Sequence, residues 1–299
     1  MSAGPANAHR GTIFLDDNAD ILEQTAFEGG QYILRVNAPR CAAAAVPGSF
    51  AHISCADLLP MRRPLSIMRA NAAQGWIDIL YKTHGVGLSR LAERTPRETL
   101  SVLGPIGNGF KPHPDRPKAL LIGGGVGIPP LVFLAEQLST QAPKTHQAIA
   151  FFGSELPFPF RTRPSKLLVP GMPDGVIACV PLLEDWGVAC RLASFGQFPG
   201  CFSGYVTDLA AHFLQTLEDS ARAQVEIFAC GPTVMLNAVA RLARRFDVAA
   251  QVSLEEYMAC AVGGCAGCAV AVRTSQGPAM KRVCVDGPVF DALAVFDPD

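Results

Sequence analysis

The stretch Leu120–Pro130 reads LLIGGGVGIPP, and it decides how the largest part of this 299-residue chain folds. An apolar run that begins at Lys118 enters a turn with four glycines in five positions, and helical spacing of apolar residues continues over 129–139. A buried strand, a glycine-rich turn and a helix in this order are typical of the first unit of a parallel α/β sheet. The glycines and two adjacent prolines also make this apolar stretch unsuitable as a membrane-spanning helix.

Strands and helices alternate on the C-terminal side of this unit. Their patterns predict strands at 146–153, 175–182 and 224–231 and helices at 205–217 and 233–246. Such alternation predicts a parallel sheet with helices on both faces. A proline-rich piece, 112–117, predicts a linker at the start, and we assign residues 114–250 to this α/β domain.

Residues 11–113 lack this alternation and consist of short runs separated by Gly, Pro, Asn and Asp. The runs predict strands at 31–39, 49–55, 65–70, 76–83 and 99–107, with one helix at 87–94. Short strands at this spacing predict a small barrel or sandwich. Residues 1–10 are polar and lack the apolar core of a signal peptide, so we interpret them as a loose tail and expect a cytoplasmic protein.

The overall composition limits the class of partner. The chain is 49% hydrophobic and 17% charged, and its formal net charge is −1. Because it has neither a basic excess nor an uninterrupted apolar helix, we expect no nucleic-acid binding and no membrane insertion. Six of the ten cysteines are scattered singly, which in a cytosolic chain is usual for small buried hydrophobic side chains.

The other four cysteines form a pattern that indicates a metal site. Residues 260–268 read CAVGGCAGC, and the complete set is Cys260-x4-Cys265-x2-Cys268-x15-Cys284. The x4 and x2 spacing is that of plant-type [2Fe–2S] ferredoxins, and the small residues let backbone amides approach the sulfurs. We therefore predict a small [2Fe–2S] domain at 251–299. Structural zinc, which more often uses two C-x2-C pairs, and unliganded thiols are the alternatives.

A cluster of this kind carries one electron at a time, so a flavin is expected to convert between one-electron and two-electron chemistry. MRRPLSI, 61–67, places Arg63 where its planar guanidinium can pair with a pyrophosphate, and Ser66 where it can bond a flavin ring nitrogen. LYKTHGVGLS, 80–89, places Gly85, Gly87 and Leu88 at a helix start, where free N–H groups attract anions. A surface arginine before a strand is the alternative interpretation of Arg63.

Two turns in the α/β domain are candidates for a nicotinamide dinucleotide. The first contains four glycines that let a phosphate approach the backbone: Gly123, Gly124, Gly125 and Gly127. The second, FACGPTVM at 228–235, contributes Cys230, Gly231 and Pro232 at the end of a late strand, with a core thiol as the alternative for Cys230. Glu155 favours NAD through a ribose hydroxyl, whereas Arg161, Arg163 and Lys166 nearby would suit the 2′-phosphate of NADP.

Several motifs occur in an order that resembles a known family over nearly the whole chain. In chain order they are RRPLS, LYK, GVGL, GPIGNGF, IGGGVGIPPL, ACGPTVM and SLEEYMACAVGGCAGC with VCVDGPVF. It is similar to the electron-transfer subunits of two-component dihydroorotate dehydrogenases, in the ferredoxin–NADP reductase superfamily. The resemblance implies an α+β multidomain protein: an antiparallel β-barrel FAD domain, an α/β parallel-sheet nucleotide domain and a small C-terminal [2Fe–2S] domain. The motif C-x4-C-x2-C with VCVDGPVF carries most of the specificity.

The resemblance also implies roles for particular residues. Arg63, Pro64, Leu65 and Ser66 would bind FAD, Leu80, Tyr81 and Lys82 would line the flavin, and Gly87 and Leu88 would meet its phosphates. The four clustered cysteines would ligate the cluster. Electrons would pass from an FMN-containing dihydroorotate-oxidising partner, in a heterotetramer, through the cluster and FAD to NAD. No residue of this chain is assigned a catalytic role in dihydroorotate oxidation.

Two positions depart from the family pattern. Leu88 stands where the family commonly has Thr after Gly87, which removes one hydroxyl from the phosphate site. Ala261 stands where Gly commonly follows the first cysteine, and alanine tolerates fewer backbone conformations. The alternative functions are a related reductase subunit that serves ferredoxin, a hydrogenase or another dehydrogenase, and a non-catalytic metal-binding module without flavin.

Overall fold

The computed structural model describes residues 12–297. Its N-terminal part is a closed six-stranded antiparallel barrel with the strand order β1-β2-β5-β4-β3-β6. The strands are β1 Phe14–Phe27, β2 Gln31–Asn37, β3 Phe50–Ile53, β4 Arg63–Asn71, β5 Trp76–Lys82 and β6 Thr99–Ile106, with helices α1 Pro39–Ala44 and α2 Gly85–Ala92. The barrel confirms the antiparallel fold of this part, and the predicted tail at 1–10 lies outside the described residues.

The long strand β1 was not predicted, because acidic and other polar residues dominate its sequence FLDDNADILEQTAF. It pairs with β2 over its second half and with β6 over its first half, so it closes the barrel. Only Ala19 and Ile21 of this strand are fully buried. Its strand structure therefore depends on backbone pairing with two neighbours rather than on a strongly apolar pattern.

The second part is a six-stranded sheet with the order β11-β8-β7-β12-β13-β16, in which only β16 runs antiparallel to its neighbour. Helices cover both faces. The six sheet strands are β7 Lys118–Gly124, β8 Gln147–Gly153, β11 Ala189–Ala193, β12 Val225–Cys230, β13 Ala249–Ser253 and β16 Val289–Asp291, and a separate two-stranded ladder consists of β9 Arg163–Pro164 and β10 Ala178–Cys179. The helices are α3 Pro129–Thr140, α4 Pro181–Asp185, α5 Val206–Thr216, α6 Asp219–Arg222, α7 Thr233–Phe246 and α8 Ala292–Val295. The predicted parallel sheet is thus confirmed.

The predicted strand at 175–182 is wrong. Only Ala178 and Cys179 are extended there; they pair with β9 in a separate two-stranded ladder, and Pro181 begins α4. The place in the main sheet is taken by β11, which pairs in parallel with β8. Its sequence ACRLA carries Arg191, whose buried guanidinium donates to the carbonyls of Cys190 and Leu167. Because buried strands are normally recognised by an apolar run, a charged residue in a short buried strand makes that strand hard to predict from sequence.

The apolar stretch 119–138 was not expected to form a membrane helix. In the structure it forms β7, a short 3₁₀ turn at Gly125–Gly127 and α3. Across residues 12–297, no helix has the length and apolarity needed to cross a bilayer.

The cysteine-rich segment attaches to both larger parts. Its own hairpin consists of β14 Ala269–Thr274 and β15 Gly277–Arg282. The chain enters it from β13 and leaves it through β16, so the main sheet includes residues on both sides of the predicted division at 250/251. On the barrel side, Asn108 donates its side-chain amide to the carbonyls of Val285 and Asp286. The motifs GPIGNGF and VCVDGPVF are therefore in contact where the cysteine-rich segment packs on the barrel.

The barrel and the α/β sheet share one apolar core and a set of polar contacts. Met68 and Leu80 of the barrel pack with the buried face of α3. Arg69 on β4 forms a bidentate ion pair with Glu136 on α3. These contacts place the C-terminal ends of β7 and β12 beside the barrel.

The linker is held by a buried carboxylate. Glu226 on β12 is fully buried; it accepts the backbone N–H of His113 at 2.9 Å and a side-chain N–H of Gln251 at 2.8 Å, and its Oε1 lies 2.7 Å from Nδ1 of His113. Three polar groups thus satisfy an anion that water cannot reach. The linker residue His113 is therefore fixed to the sheet.

We expect Glu226→Gln to lower the free energy of unfolding by about 2 kcal/mol, because an amide NH₂ would face groups that need an acceptor. Chemical denaturation measures the effect, and Glu28→Gln at an exposed position is the control. Equal stability of both variants would show that the buried contacts contribute nothing to linker docking.

Candidate cofactor-binding and electron-transfer site

The barrel has a gap in its wall between β4 and β5. The two strands pair from Asn71 and Trp76 up to Ile67 and Ile79, and the ladder stops there. Residues 63–66 of β4 continue beside β3 only, and residues 80–82 of β5 continue beside β2 only. Each segment therefore presents one backbone edge without a strand neighbour, and such an edge needs another hydrogen-bonding partner. Both segments are those predicted to bind FAD.

A phosphate-binding arrangement lies at one end of this gap. The guanidinium of Arg63 donates to the carbonyls of Met61 and Arg62 and lies over Gly87 in the first turn of α2. A Cβ atom on Gly87 would come within 3.0 Å of the guanidinium, so glycine permits this approach. No side chain caps the N-terminus of α2, whose N–H groups and dipole favour an anion. The arrangement fits the pyrophosphate of FAD.

The other predicted flavin residues fall into two groups. On β4 the side chain of Leu65 packs against the barrel core, and the side chains of Pro64 and Ser66, its neighbours in the strand, lie on the opposite face. Tyr81 is buried inside the barrel, where its hydroxyl donates to Gln24, and Leu80 is buried in the core shared with α3. Leu80 and Tyr81 therefore reach the gap only through their backbone, whereas the side chain of Lys82 is exposed.

The departure at Leu88 has a structural explanation. The Leu88 side chain packs against the barrel core together with Leu65 and Leu91. Leucine thus replaces a hydroxyl group near the phosphate site with an apolar contact that fixes α2 on the barrel. The phosphate-binding capacity of this turn depends on its backbone and on Arg63.

The two predicted nicotinamide turns are in contact with each other. β7 and β12 are parallel neighbours, with Gly123 opposite Cys230. A Cβ atom on Gly127 would lie 2.4 Å from the backbone of Cys230, and one on Gly124 would lie 2.6 Å from Sδ of Met235. Gly125 has a φ of 54°, and a Cβ there would meet no atom within 4 Å. The paired turns form an open crevice at the C-terminal edge of the sheet, where such sheets bind nucleotides.

Glu255 joins this crevice, and sequence analysis did not single it out. The thiol of Cys230 points to Oε1 of Glu255 at 3.9 Å. Burial, and then the nearby Glu255, raise the pKa of Cys230 well above its ordinary value; desolvation also raises the pKa of Glu255, although its side chain keeps contact with solvent. Cys230 is therefore a neutral thiol, suited to contact a nicotinamide ring rather than to act as a nucleophile.

The side chains proposed to distinguish NAD from NADP differ in whether another residue already pairs with them. Arg163 is engaged by Asp185 at 2.8 Å, whereas Glu155 is exposed just beyond β8. Two exposed aromatic rings, Phe195 and Tyr205, pack edge to face near the C-terminal end of β11. The engagement of Arg163 favours NAD, although Arg161 and Lys166 remain exposed.

The four clustered cysteines form two pairs. Sγ of Cys260 lies 3.3 Å from Sγ of Cys265, and Sγ of Cys268 lies 3.4 Å from Sγ of Cys284. These separations are too long for a disulfide and short enough for two thiolates to share one tetrahedral metal ion. Within residues 12–297, no three His, Cys, Asp or Glu side chains are grouped to hold a single ion. Two pairs fit a two-iron cluster better than one structural zinc.

Backbone amides surround the outer sulfurs. The N–H of Cys265 donates to Sγ of Cys260, and the N–H of Gly267 donates to Sγ of Cys265, each at 3.4 Å. Burial alone would raise the pKa of Cys260, but hydrogen bonds from Cys265 and Val262 outweigh it and lower the pKa to about 7. Burial and the Cys268 thiol raise the pKa of Cys284 to about 12.

Two alanines in this loop have left-handed backbone conformations. Ala261 has a φ of 56° and is buried against Phe50, Cys268 and Cys284, whereas Ala266 has a φ of 54° and is exposed. Glycine adopts this conformation without the clash that its Cβ causes in alanine. The departure at Ala261 therefore keeps the loop geometry and adds a buried methyl group.

We expect Arg63→Ala to weaken FAD binding roughly 10- to 100-fold, because a charged, forked contact contributes about 1.5–3 kcal/mol. Arg63→Lys should fall between it and the wild type, and Arg40→Ala on the far ion pair with Asp16 is the control. FAD retention after dilution measures the effect. An unchanged affinity would mean that Arg63 is only a residue at a strand entry.

We expect Ala266→Gly to stabilise the cluster loop by about 0.5–1 kcal/mol, because it removes the steric cost of the left-handed conformation. Ala261→Gly should be close to neutral, since it also removes a buried methyl group that contributes about 0.8 kcal/mol. Denaturation followed by the visible absorption of the cluster tests both. A larger gain at Ala261 than at Ala266 would contradict this assignment.

Comparison with known proteins agrees with this arrangement. Residues 255–296 match the family described as the iron-sulfur cluster binding domain of dihydroorotate dehydrogenase B. The dihydroorotate dehydrogenase B (NAD(+)) electron transfer subunit of Bacillus caldolyticus is 35% identical, over 82% of this chain and 85% of its own length. The subunit of the same name from Desulforamulus reducens is 31% identical, over 93% and 97%.

Solved structures show the same architecture. The NADH-dependent reduced ferredoxin-NADP oxidoreductase studied for flavin-based electron bifurcation superposes with a TM-score of 0.74 at 25% identity, covering 94% of this chain and 90% of that chain. The ferredoxin-NADP+ reductase of Plasmodium falciparum gives a TM-score of 0.57 at 14% identity, covering 79% and 95%. The second likeness shows a shared barrel-and-sheet fold.

Both relatives are at least 31% identical and cover at least 82% of this chain, and the cysteine-rich segment matches the corresponding domain family. The chain therefore belongs to the family of dihydroorotate dehydrogenase B electron transfer subunits.

Proposed function

We infer that this chain is an NAD-linked electron-transfer subunit that carries FAD and a [2Fe–2S] cluster. One observation carries this conclusion: the two strands that flank the barrel gap lead to the two other candidate sites, β5 by contact with the glycine-rich turn of the α/β sheet and β4 through its neighbour β3, on which Phe50 lies opposite Ser66. The turn Gly125–Gly127 contacts β5 on one side. On the other side, Phe50 of β3 packs with Cys268 and Cys284.

The residues of the chain position the groups and limit their surroundings. When bound, the flavin exchanges two electrons with nicotinamide and one with an iron–sulfur cluster. Arg63 and the first turn of α2 hold the phosphate end, while the edges of residues 63–66 and 80–82 enclose the ring system. Cys230 and Glu255 line the crevice in which a nicotinamide would face the flavin. The four thiolates and the surrounding amides hold the cluster.

The proposed partner is an FMN-containing dihydroorotate dehydrogenase catalytic subunit, joined to this chain in a heterotetramer in the cytoplasm. The relatives are named as electron transfer subunits of that enzyme. Electrons would enter from the partner, pass the cluster and FAD, and reduce NAD. The pairing of Arg163 with Asp185 supports NAD rather than NADP.

The partner is proposed to dock around the cluster loop. Cys265 is exposed, so its sulfur marks the side from which an electron can arrive. Three large apolar side chains of the same segment are strongly exposed: Tyr257, Val262 and Met280. Apolar exposure beside a redox centre is typical of a surface that a partner protein covers.

A related NAD(P)H reductase that serves ferredoxin or another dehydrogenase is the second candidate. It is favoured by the likeness to the NADH-dependent reduced ferredoxin-NADP oxidoreductase, which covers 94% of this chain. The two functions differ in the protein that delivers electrons at the cluster. Neighbouring genes and binding to purified partners separate them.

We expect the isolated chain to reduce artificial dyes with NADH but not to oxidise dihydroorotate. Adding the FMN subunit should create NAD-dependent dihydroorotate oxidation. Cys265→Ser should abolish the coupled reaction and spare most of the NADH-to-dye activity, because the cluster lies only on the path between subunits. Cys201→Ser, outside the cluster, is the matched control.

Steady-state assays with and without the partner measure these activities. Oxidation of dihydroorotate by the isolated chain would contradict the subunit assignment. Failure of the FMN subunit to bind or couple would leave the NADH-to-dye reaction intact and favour the second candidate. Zinc without iron in protein produced with ample iron would contradict the cluster.

A further inference from the structure

Strand β4 has a β-bulge where it leaves the barrel gap. Its register with β5 shifts between Ile67 and Arg69, so Met68 is an extra residue on β4. Ile67 and Ala70, on either side, pack against the barrel core. Met68 and Arg69 are consecutive residues, and yet both face outwards to α3. The bulge therefore directs Arg69, which regular alternation would turn inwards, onto the α/β domain.

The guanidinium of Arg69 contacts three separate elements. Its Nε lies 3.0 Å from Oε2 of Glu136 on α3, and its Nη2 lies 2.5 Å from Oε1 of the same carboxylate. Its Cζ lies 5.6 Å from the ring centroid of Trp76 on β5 and 5.2 Å from that of Trp186, directly after α4. The side chains of Arg69 and Glu136 are only 23% and 20% exposed, so water screens the ion pair weakly. Arg69 thus joins the barrel to two elements of the α/β domain.

On each side of the Arg69–Glu136 pair, the element involved also carries a candidate cofactor site. On the barrel side, β4 leads from Arg69 back to residues 63–66, which border the barrel gap. On the other side, α3 begins beside Gly125–Gly127, the turn that forms part of the nicotinamide crevice. A shift of α3 along β4 would therefore move the crevice relative to the gap.

The apolar contact between β4 and α3 does not by itself fix their relative position. Met68 packs with α3 in the shared core, but apolar burial is non-directional, and packed elements can slide by small distances. A bidentate contact between a planar guanidinium and a carboxylate sets both distance and orientation. Lysine at position 69 would keep the charge but lose the fork and the planar stacking on the two rings. The fork of Arg69 is therefore the directional part of this contact.

We propose that Arg69 is a positioning residue that holds the nicotinamide crevice at the distance from the flavin site that hydride transfer requires. The reaction moves one hydride, a proton with two electrons, between nicotinamide and flavin. Arg69 binds neither group and exchanges no proton; it acts through Glu136 and α3. This inference rests on the proposed function, since it needs both cofactors in their proposed sites.

The test uses the full chain loaded with FAD and iron–sulfur cluster and follows flavin reduction by NADH in a single turnover. Arg69→Gln and Glu136→Gln should each slow the reduction roughly 10- to 100-fold at saturating NADH, because a misplacement of about 1 Å is enough for a loss of this size. The double variant should be no slower than the slower single variant, and Arg69→Lys should be intermediate. The affinities for FAD and NADH should change much less than the rate, and the long-wavelength absorption of the nicotinamide–flavin complex should weaken.

Tryptophan fluorescence gives a second readout that needs neither cofactor. In a Trp76→Phe background Trp186 is the remaining tryptophan, and Arg69→Gln should raise its quenching by acrylamide because the ring loses its contact with the guanidinium. Arg35→Lys is the matched control: Arg35 pairs with Asp78 at 2.7 and 2.8 Å and lies over Trp76, but all three residues belong to the barrel. It should leave flavin reduction and the quenching of Trp186 unchanged.

Unchanged flavin reduction in Arg69→Gln would overturn the proposal, and so would equal slowing in Arg35→Lys or a double variant in which the two single effects multiply. If Arg69→Gln fails to fold, Arg69→Lys and Glu136→Gln decide the question by the same measurements. A wild-type flavin that NADH does not reduce would instead contradict the proposed function.

Discussion

The early end of the ladder between β4 and β5 is the constraint on which the rest of the molecule depends. A closed barrel normally pairs every backbone edge, but here two strands part after Ile67 and Ile79 while keeping their outer neighbours. The separation leaves two facing edges that need hydrogen-bonding partners. It also places the guanidinium of Arg63 over the uncapped start of α2. The proposed FAD site is therefore a place where strand pairing stops locally, with an anion site at one end.

The α/β sheet and the cysteine-rich segment are fixed around this gap by different kinds of contact. The sheet shares an apolar core with the barrel and adds the Arg69–Glu136 ion pair and the linker contact at Glu226. The cysteine-rich segment docks through an apolar cluster that includes Phe50 and Ile106 of the barrel, and through polar contacts of Asn108. The side-chain amide of Asn108 donates to two carbonyls, and its backbone N–H donates to the carbonyl of Gly287. The distances between the redox groups stay fixed only if both sets of contacts, barrel to sheet and barrel to cysteine-rich segment, are rigid. Both sets contain buried or part-buried hydrogen bonds.

The cluster loop shows how backbone conformation and electronic environment are linked. Small residues around Cys260 and Cys265 allow amide N–H groups to reach the sulfurs, and two alanines accept left-handed conformations to close the loop. The inner pair, Cys268 and Cys284, is buried against Phe50, while Cys265 faces solvent. One side of the cluster site is thus embedded towards the barrel and the other is open to a partner.

The sequence by itself determined the strand–turn–helix unit at Leu120–Pro130, the helix at 233–246, the predominance of short strands in the N-terminal part and the spacing of the four cysteines, because each depends on local spacing and conformational preference. The local pattern left a barrel and a sandwich open for those strands, and their pairing decided for the barrel. Only the tertiary structure decided that β11 rather than 175–182 joins the sheet, that Tyr81 faces the barrel core, and that Glu255 reaches Cys230. These features depend on strand pairing and on contacts between residues far apart in the chain, which no local pattern encodes.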